Sequence, residues 1–244
     1  VTAGAARSDW AAVLLDIEGT TTPITFVHRI LFPYARARLG TFASTHGRDP
    51  VVVEAVARLR DEHAADVKAG GAPPPWPEAG FVGLVAYLEW LMDRDRKSPG
   101  LKALQGLIWE EGYSRGDLRG LVFDDVPGAL RRWHAAGTRI AIYSSGSVLA
   151  QRRLFQTTAD GDLTTLIDAF FDTSVGAKVD RASYERIAAA LQVAADRTLF
   201  VSDVTAELRA ARQAGFQVRL ASRPGNAPQA DASHYVAVTG LAGV

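Results

Sequence analysis

The chain has 244 residues, 48% of them hydrophobic and 22% charged, enough for one large domain or for a core domain carrying an insert. Lysine plus arginine equals aspartate plus glutamate, 27 against 27, so no net field favours nucleic acid or an anionic membrane surface. The absence of cysteine excludes disulfides, thiolate catalysis, iron–sulfur clusters and cysteine-ligated zinc together.

The opening VTAGAARSDW lacks the basic flank and apolar stretch of a secretory signal, and no apolar run approaches membrane-spanning length, so a cytoplasmic protein is expected. Residues 11–15 (AAVLL) form a short apolar run ending at Asp16-Ile17-Glu18-Gly19-Thr20, the pattern of a buried strand meeting its loop. Residues 21–124 differ. Helical periodicity covers 29–43, 51–67, 81–94 and 101–112, interrupted by the proline-rich GGAPPPWPEAG, with no buried-type strand between them. Apolar runs then return at 138–143 (TRIAIY), 198–201 (TLFV) and 218–221 (VRLA). Helical patterns at 126–136, 148–157, 182–191 and 205–214 separate them.

Strands alternating with amphipathic helices predict an α/β fold with a Rossmann-like parallel sheet, residues 1–20 and 125–244 forming the core. Right-handed crossovers place every strand's C-terminal end on one edge. The segment 21–124 is then a helical cap inserted after the first strand, over the edge where ligands bind in such folds, and a candidate lid.

Four segments fall on that edge. Asp16 with Glu18 offers a nucleophile and a proton donor two residues apart, and Gly19-Thr20 allows the turn that brings both to one point. Ser144-Ser145-Gly146 precedes a helix, where hydroxyls and free N–H groups suit phosphate oxygens. Lys178 can neutralise a phosphate and an attacking carboxylate together. Ser202-Asp203, with Glu207 one turn later, suits a magnesium site that takes few protein carboxylates. Each alone has a bland reading as a turn, a helix cap or a surface charge, and for the serines and Lys178 that reading is the commoner one. Their order, each at or near a strand end, argues otherwise. The five histidines (His28, His46, His63, His134, His234) show no HxH or HExxH spacing for a zinc site.

These segments resemble the four motifs of the haloacid dehalogenase-like hydrolase superfamily. The stretches DIEGTTTPITFVHRILFPYA (16–35), LKALQGLIWEEGY (101–113), FDDVPGALRRW (123–133), IYSSGSVLAQRRLF (142–155) and RPGNA (223–227) resemble its acireductone-forming enolase-phosphatases of methionine salvage. Most superfamily members carry a second aspartate where this chain has Glu18, as the enolase-phosphatases do.

The resemblance implies strand order 5-4-1-2-3 and one Mg2+ per chain, held by Asp16, the Glu18 carbonyl and Asp203, with Glu207 nearby. It implies Asp16 as nucleophile, Glu18 as acid–base residue, Ser144 and Ser145 on the phosphate, and Lys178 as its anchor. The implied reaction enolises 2,3-diketo-5-methylthiopentyl-1-phosphate and hydrolyses its phosphate through an aspartyl-phosphate, releasing acireductone. For the enolisation base, Glu18 comes first and His28 second. Phe26, Leu104 and Trp109 are candidates for the apolar methylthio end, with Lys102 and Gln105 for the diketone; helical spacing alone more commonly packs Leu104 and Trp109 into the cap's own core.

A generic phosphatase of the same superfamily is the alternative, ahead of a haloacid dehalogenase or a non-catalytic binding module. The expected partner is a small phosphate ester, without nucleic acid or membrane, and a monomer is expected.

Overall fold

The computed structural model describes residues 10–77 and 82–244. The chain opens with strand β1 (Ala12–Leu15), a helical turn α1 (Ile24–Phe26) and a π-helical stretch over Val27–Leu31. Four helices follow: α2 (Phe32–His46), α3 (Pro50–Lys68), α4 (Val82–Asp93) and α5 (Pro99–Arg115). Next come α6 (Val126–Ala135), β2 (Arg139–Tyr143), α7 (Val148–Gln156), β3 (Ala169–Phe171) and α8 (Arg181–Leu191). The chain continues with β4 (Thr198–Ser202), α9 (Thr205–Gln213), β5 (Gln217–Ala221) and β6 (Ala237–Val238). None of the described helices is long and apolar enough to cross a membrane.

The described chain divides into two compact units, one drawing on residues up to Val27 and from Arg119 onward, the other spanning His28–Leu118. The expected borders stood at 20/21 and 124/125. The turn after β1 explains the difference. Thr21 and Thr22 are fully buried, and the Phe123 amide donates to the Thr21 carbonyl at 3.0 Å, tying both flanks to the sheet unit.

In that unit the strands lie in the order β3-β2-β1-β4-β5-β6, and every pair is parallel. Read from the other edge this is the expected 5-4-1-2-3 order with β6 added outside. Strand β1 is central, and all four of its residues are inaccessible, which accounts for a continuous apolar run rather than an alternating one. Its side chains alternate between faces. Ala12 and Leu14, with Ala141 and Tyr143 of β2, pack against Tyr184 and Ile187 of α8 and Leu208 and Ala211 of α9. Fully burying a leucine or phenylalanine at such a position contributes about 1.5–3 kcal/mol. Strands β3 and β6 were not foreseen, because runs of three and two residues carry no usable period.

The helical unit has its own core, including Leu39, Leu59, Leu84, Tyr87, Leu88 and Leu104. Helix α5 starts at a Ser98 cap, whose Oγ accepts from the Leu101 amide at 3.0 Å, with Pro99 in the first turn. It ends on left-handed Gly116. Helices α3 and α5 approach closely at Gly100, where a β-carbon would meet Leu59 Cγ at 2.5 Å. Helices α2, α3 and α5 extend beyond the stretches read from periodicity; Phe81, where the third stretch was expected to begin, lies outside the described residues, as does the segment before Trp10.

Candidate active site

The register of the sheet sets the site. Leu15 pairs with Ile142 on one side and Val201 on the other, so Asp16, Tyr143 and Ser202 stand level, with Ser144 and Asp203 one residue beyond. The Asp16 amide donates to the Val201 carbonyl at 3.0 Å, extending the ladder through the acid itself. The chain then turns sharply. Amides of Thr20, Thr21 and Thr22 all donate to the Ile17 carbonyl, and the Gly19 amide donates to Thr22. Gly19 takes φ +70°, and a β-carbon there would collide with Asp203 Oδ2 and lie 2.7 Å from Asn226 Oδ1. Only glycine fits this position.

Asp16 is buried, and its Oδ1 accepts from the Lys178 ammonium, while Thr20 Oγ1 donates to Oδ2 at 3.3 Å. Lys178 Nζ also lies 2.7 Å from Glu207 Oε2, and Ser202 Oγ donates to that same oxygen at 2.9 Å. The Lys178 loop is pinned from α8. Tyr184 Oη donates to the Lys178 carbonyl at 2.6 Å and Ser183 Oγ to the Ala177 carbonyl at 2.8 Å.

Burial alone would lower the Lys178 pKa, but the charges of Asp16 and Glu207 and their hydrogen bonds outweigh it and hold the ammonium above its ordinary value. Burial, then repulsion from Asp16 and Glu207, pushes Asp203 up to about 7. Glu207 is raised as well: burial dominates, the Lys178 charge opposes it, and Asp16 adds to it.

Three buried acids, Asp16, Asp203 and Glu207, thus face one ammonium. That surplus of negative charge in a desolvated site suits a divalent cation. Among the described residues no group of three or more His, Cys, Asp or Glu side chains forms a metal-ligating set. Magnesium asks for less, since it takes one or two carboxylates and keeps several waters. Asp16 and Asp203 fit it.

Ser144 is buried, and its Oγ accepts from the Gly146 amide at 3.1 Å; Ser145 is exposed. Ser147 caps α7 by accepting from the Ala150 amide at 3.3 Å. Gln151 braces this loop, its Nε2 donating to the carbonyls of Gly146 and Phe171, both at 2.8 Å.

The remaining candidates belong to α1 and to the helical unit. Phe26 is buried in α1, in the sheet unit. In the helical unit, His28 and Gln105 line one cavity of about 320 Å³ together with Phe32, Arg36, Arg96 and Leu101. Lys102 and Trp109 do not line it. Leu104 is in the helical core, and the Trp109 indole packs beside that core, donating to the Leu31 carbonyl at 2.8 Å.

Sequence reasoning gave no role to Gln151, Arg223 or Asn226. Arg223 and Asn226 lie in RPGNA, where the Pro-Gly pair signals a turn and nothing more. Arg223 is buried, pairs two-pronged with Asp125 at 2.8 and 3.0 Å, and donates through Nε to the Thr20 carbonyl.

A parallel sheet with a nucleophile-type acid, a serine, a lysine and a further acid at its C-terminal edge defines a class of hydrolase, and comparison with known proteins agrees. A family model described as "Hydrolase: haloacid dehalogenase-like hydrolase" matches residues 10–215. The chain is 52% identical to enolase-phosphatase E1 of Synechococcus elongatus over 215 residues, 88% of this chain and 90% of that protein. It is 53% identical to enolase-phosphatase E1 of Frankia alni over 213 residues, 87% and 86% of the two chains. A crystal structure of the UTR4 protein of Saccharomyces cerevisiae superposes with TM-score 0.75 at 34% identity, covering 95% of this chain and 98% of that one. The chain belongs to the haloacid dehalogenase-like hydrolases and, within them, to the enolase-phosphatase family.

Proposed function

We propose that the chain converts 2,3-diketo-5-methylthiopentyl-1-phosphate to acireductone and phosphate, with Asp16 as nucleophile. The observation that carries this reading is the Asp16–Lys178–Glu207 cluster: a buried carboxylate at a strand end, oriented by an ammonium that a second acid holds in place.

Enolisation comes first. A base takes a proton from the carbon bearing the phosphate ester while the electron pair moves onto the neighbouring carbonyl oxygen as an enolate, and Glu18, half-buried in the turn after Asp16, is assigned as that base. Asp16 then attacks phosphorus; the bond from phosphorus to the enol oxygen breaks, and Glu18 supplies the proton that oxygen needs. Water, deprotonated by Glu18, attacks the aspartyl-phosphate and frees phosphate and Asp16. Ser144, Ser145 and the amides beginning α7 hold the phosphoryl oxygens, and Lys178 offsets charge on both the attacking and transferring groups. Asp16, Asp203 and the Glu18 carbonyl are assigned to Mg2+, which when bound polarises the phosphoryl and carbonyl oxygens. Residues 28–118 are assigned as the lid that selects the apolar end.

Incubation with the diketone phosphate tests the proposal. Ultraviolet absorbance of an enol should rise before phosphate is released. Phosphate release with no enol signal would make the protein a general phosphatase.

A further inference from the structure

We propose that Asn226 is a positioning residue for the cation end of this site, an inference that rests on the magnesium assignment above. Its Nδ2 has two hydrogens, and both are committed: one to the Gly19 carbonyl at 2.9 Å, the other to the Ala221 carbonyl at 3.1 Å. That double donation fixes which end of the amide is oxygen. The remaining atom, Oδ1, is buried and has no protein partner.

Its location gives that atom a use. Oδ1 and Asp203 Oδ2 both border the space that a β-carbon on Gly19 would fill. Two acceptors that share one small space call for a common donor. A water carried by the cation at Asp203 is such a donor, because magnesium retains several waters whose hydrogens must find acceptors. Asn226 therefore acts twice: Nδ2 fixes the Gly19 carbonyl and hence the turn after Asp16, and Oδ1 takes a hydrogen from a metal-bound water.

The turn that presents Asn226 is itself anchored. Arg223 reaches the Thr20 carbonyl at 3.1 Å and the Thr239 carbonyl at 3.0 Å while gripping Asp125, whose Oδ2 also accepts from the Leu241 amide at 2.5 Å. Gly225, at φ +90°, makes the reversal between Arg223 and Asn226.

Calorimetric titration of Mg2+ into the full chain tests the proposal without turnover. The wild type should take up the ion, and Asn226→Ala should bind it roughly tenfold or more weakly. Its Tm in chelator should stay within a few degrees of wild type. Where Asn226→Ala does not fold, Asn226→Ser takes its place in the same titration. Unchanged affinity overturns the inference. Equal weakening in Arg223→Lys, which keeps the amide but loosens the turn, also overturns it. A wild type that takes up no Mg2+ sinks the metal assignment as well, so the two failures are distinguishable.

Discussion

Lys178 Nζ stands 2.7 Å from Glu207 Oε2 while donating to Asp16. The pairing sets the division of labour among the acids. Glu207 is occupied by Lys178 and Ser202, so it serves to aim the ammonium, whereas Asp16 Oδ2 accepts from the Thr20 hydroxyl.

Asp16→Asn should abolish turnover, by a thousandfold or more on the order of other nucleophile removals. Phosphate release assays read the loss, and circular dichroism should be unchanged, because the amide is isosteric. Retained turnover removes Asp16 as nucleophile.

Lys178→Ala should cost about 10²–10³ in kcat if the ammonium meets the transferring phosphoryl group. It should also weaken the fold without added metal, since removing one partner of a buried ion pair costs about 3–5 kcal/mol. Chemical denaturation in chelator measures the second effect. A kcat within twofold of wild type would make Lys178 a bystander.

Stability of the metal-free protein should fall as pH rises. Asp203 is raised to about 7 in the fold and titrates near 4 when unfolded. The contribution from its protonated form is complete below about pH 4, declines as pH approaches 7 and is absent above it. Tm in chelator across pH 5–8 should therefore drop, and Mg2+ should restore it most at the alkaline end. A flat profile in chelator would contradict the crowding of acids described here.

Gln151→Leu should raise KM and the inhibition constant of inorganic phosphate more than it lowers kcat. It strips the Gly146 carbonyl of its side-chain donor and leaves the Phe171 carbonyl of β3 with the Ser144 amide alone, costing about 1–3 kcal/mol of stability. Steady-state kinetics with phosphate as inhibitor separates the effects, and equal loss in kcat alone would refute the bracing role.

The sheet was legible where strands carried four or five apolar residues, as in β1, β2, β4 and β5, because burial on both faces removes polar interruptions. Each acid, serine and lysine at the site was legible as chemistry, since its residue type and place at a strand end survive in one dimension. Long-range partnerships were not. Nothing in RPGNA announces that Asn226 will bond Gly19, 207 positions away, or that Arg223 will reach Thr20. The pairing of Glu207 with Lys178 likewise depends on the crossover from β4 to α9 rather than on spacing. Periodicity placed the four long helices of the 28–118 unit but could not tell which of their faces line a cavity: Gln105 borders one, and Leu104 beside it is in the core.

Because the amide of Asp16 belongs to the ladder of the middle strand, its carboxylate inherits the stiffness of the whole sheet. Its backbone should rank among the last to exchange hydrogen for deuterium. Adapting this scaffold to a new ester therefore calls for changes in loops and helices, with residues 12–15 restricted to swaps that conserve volume.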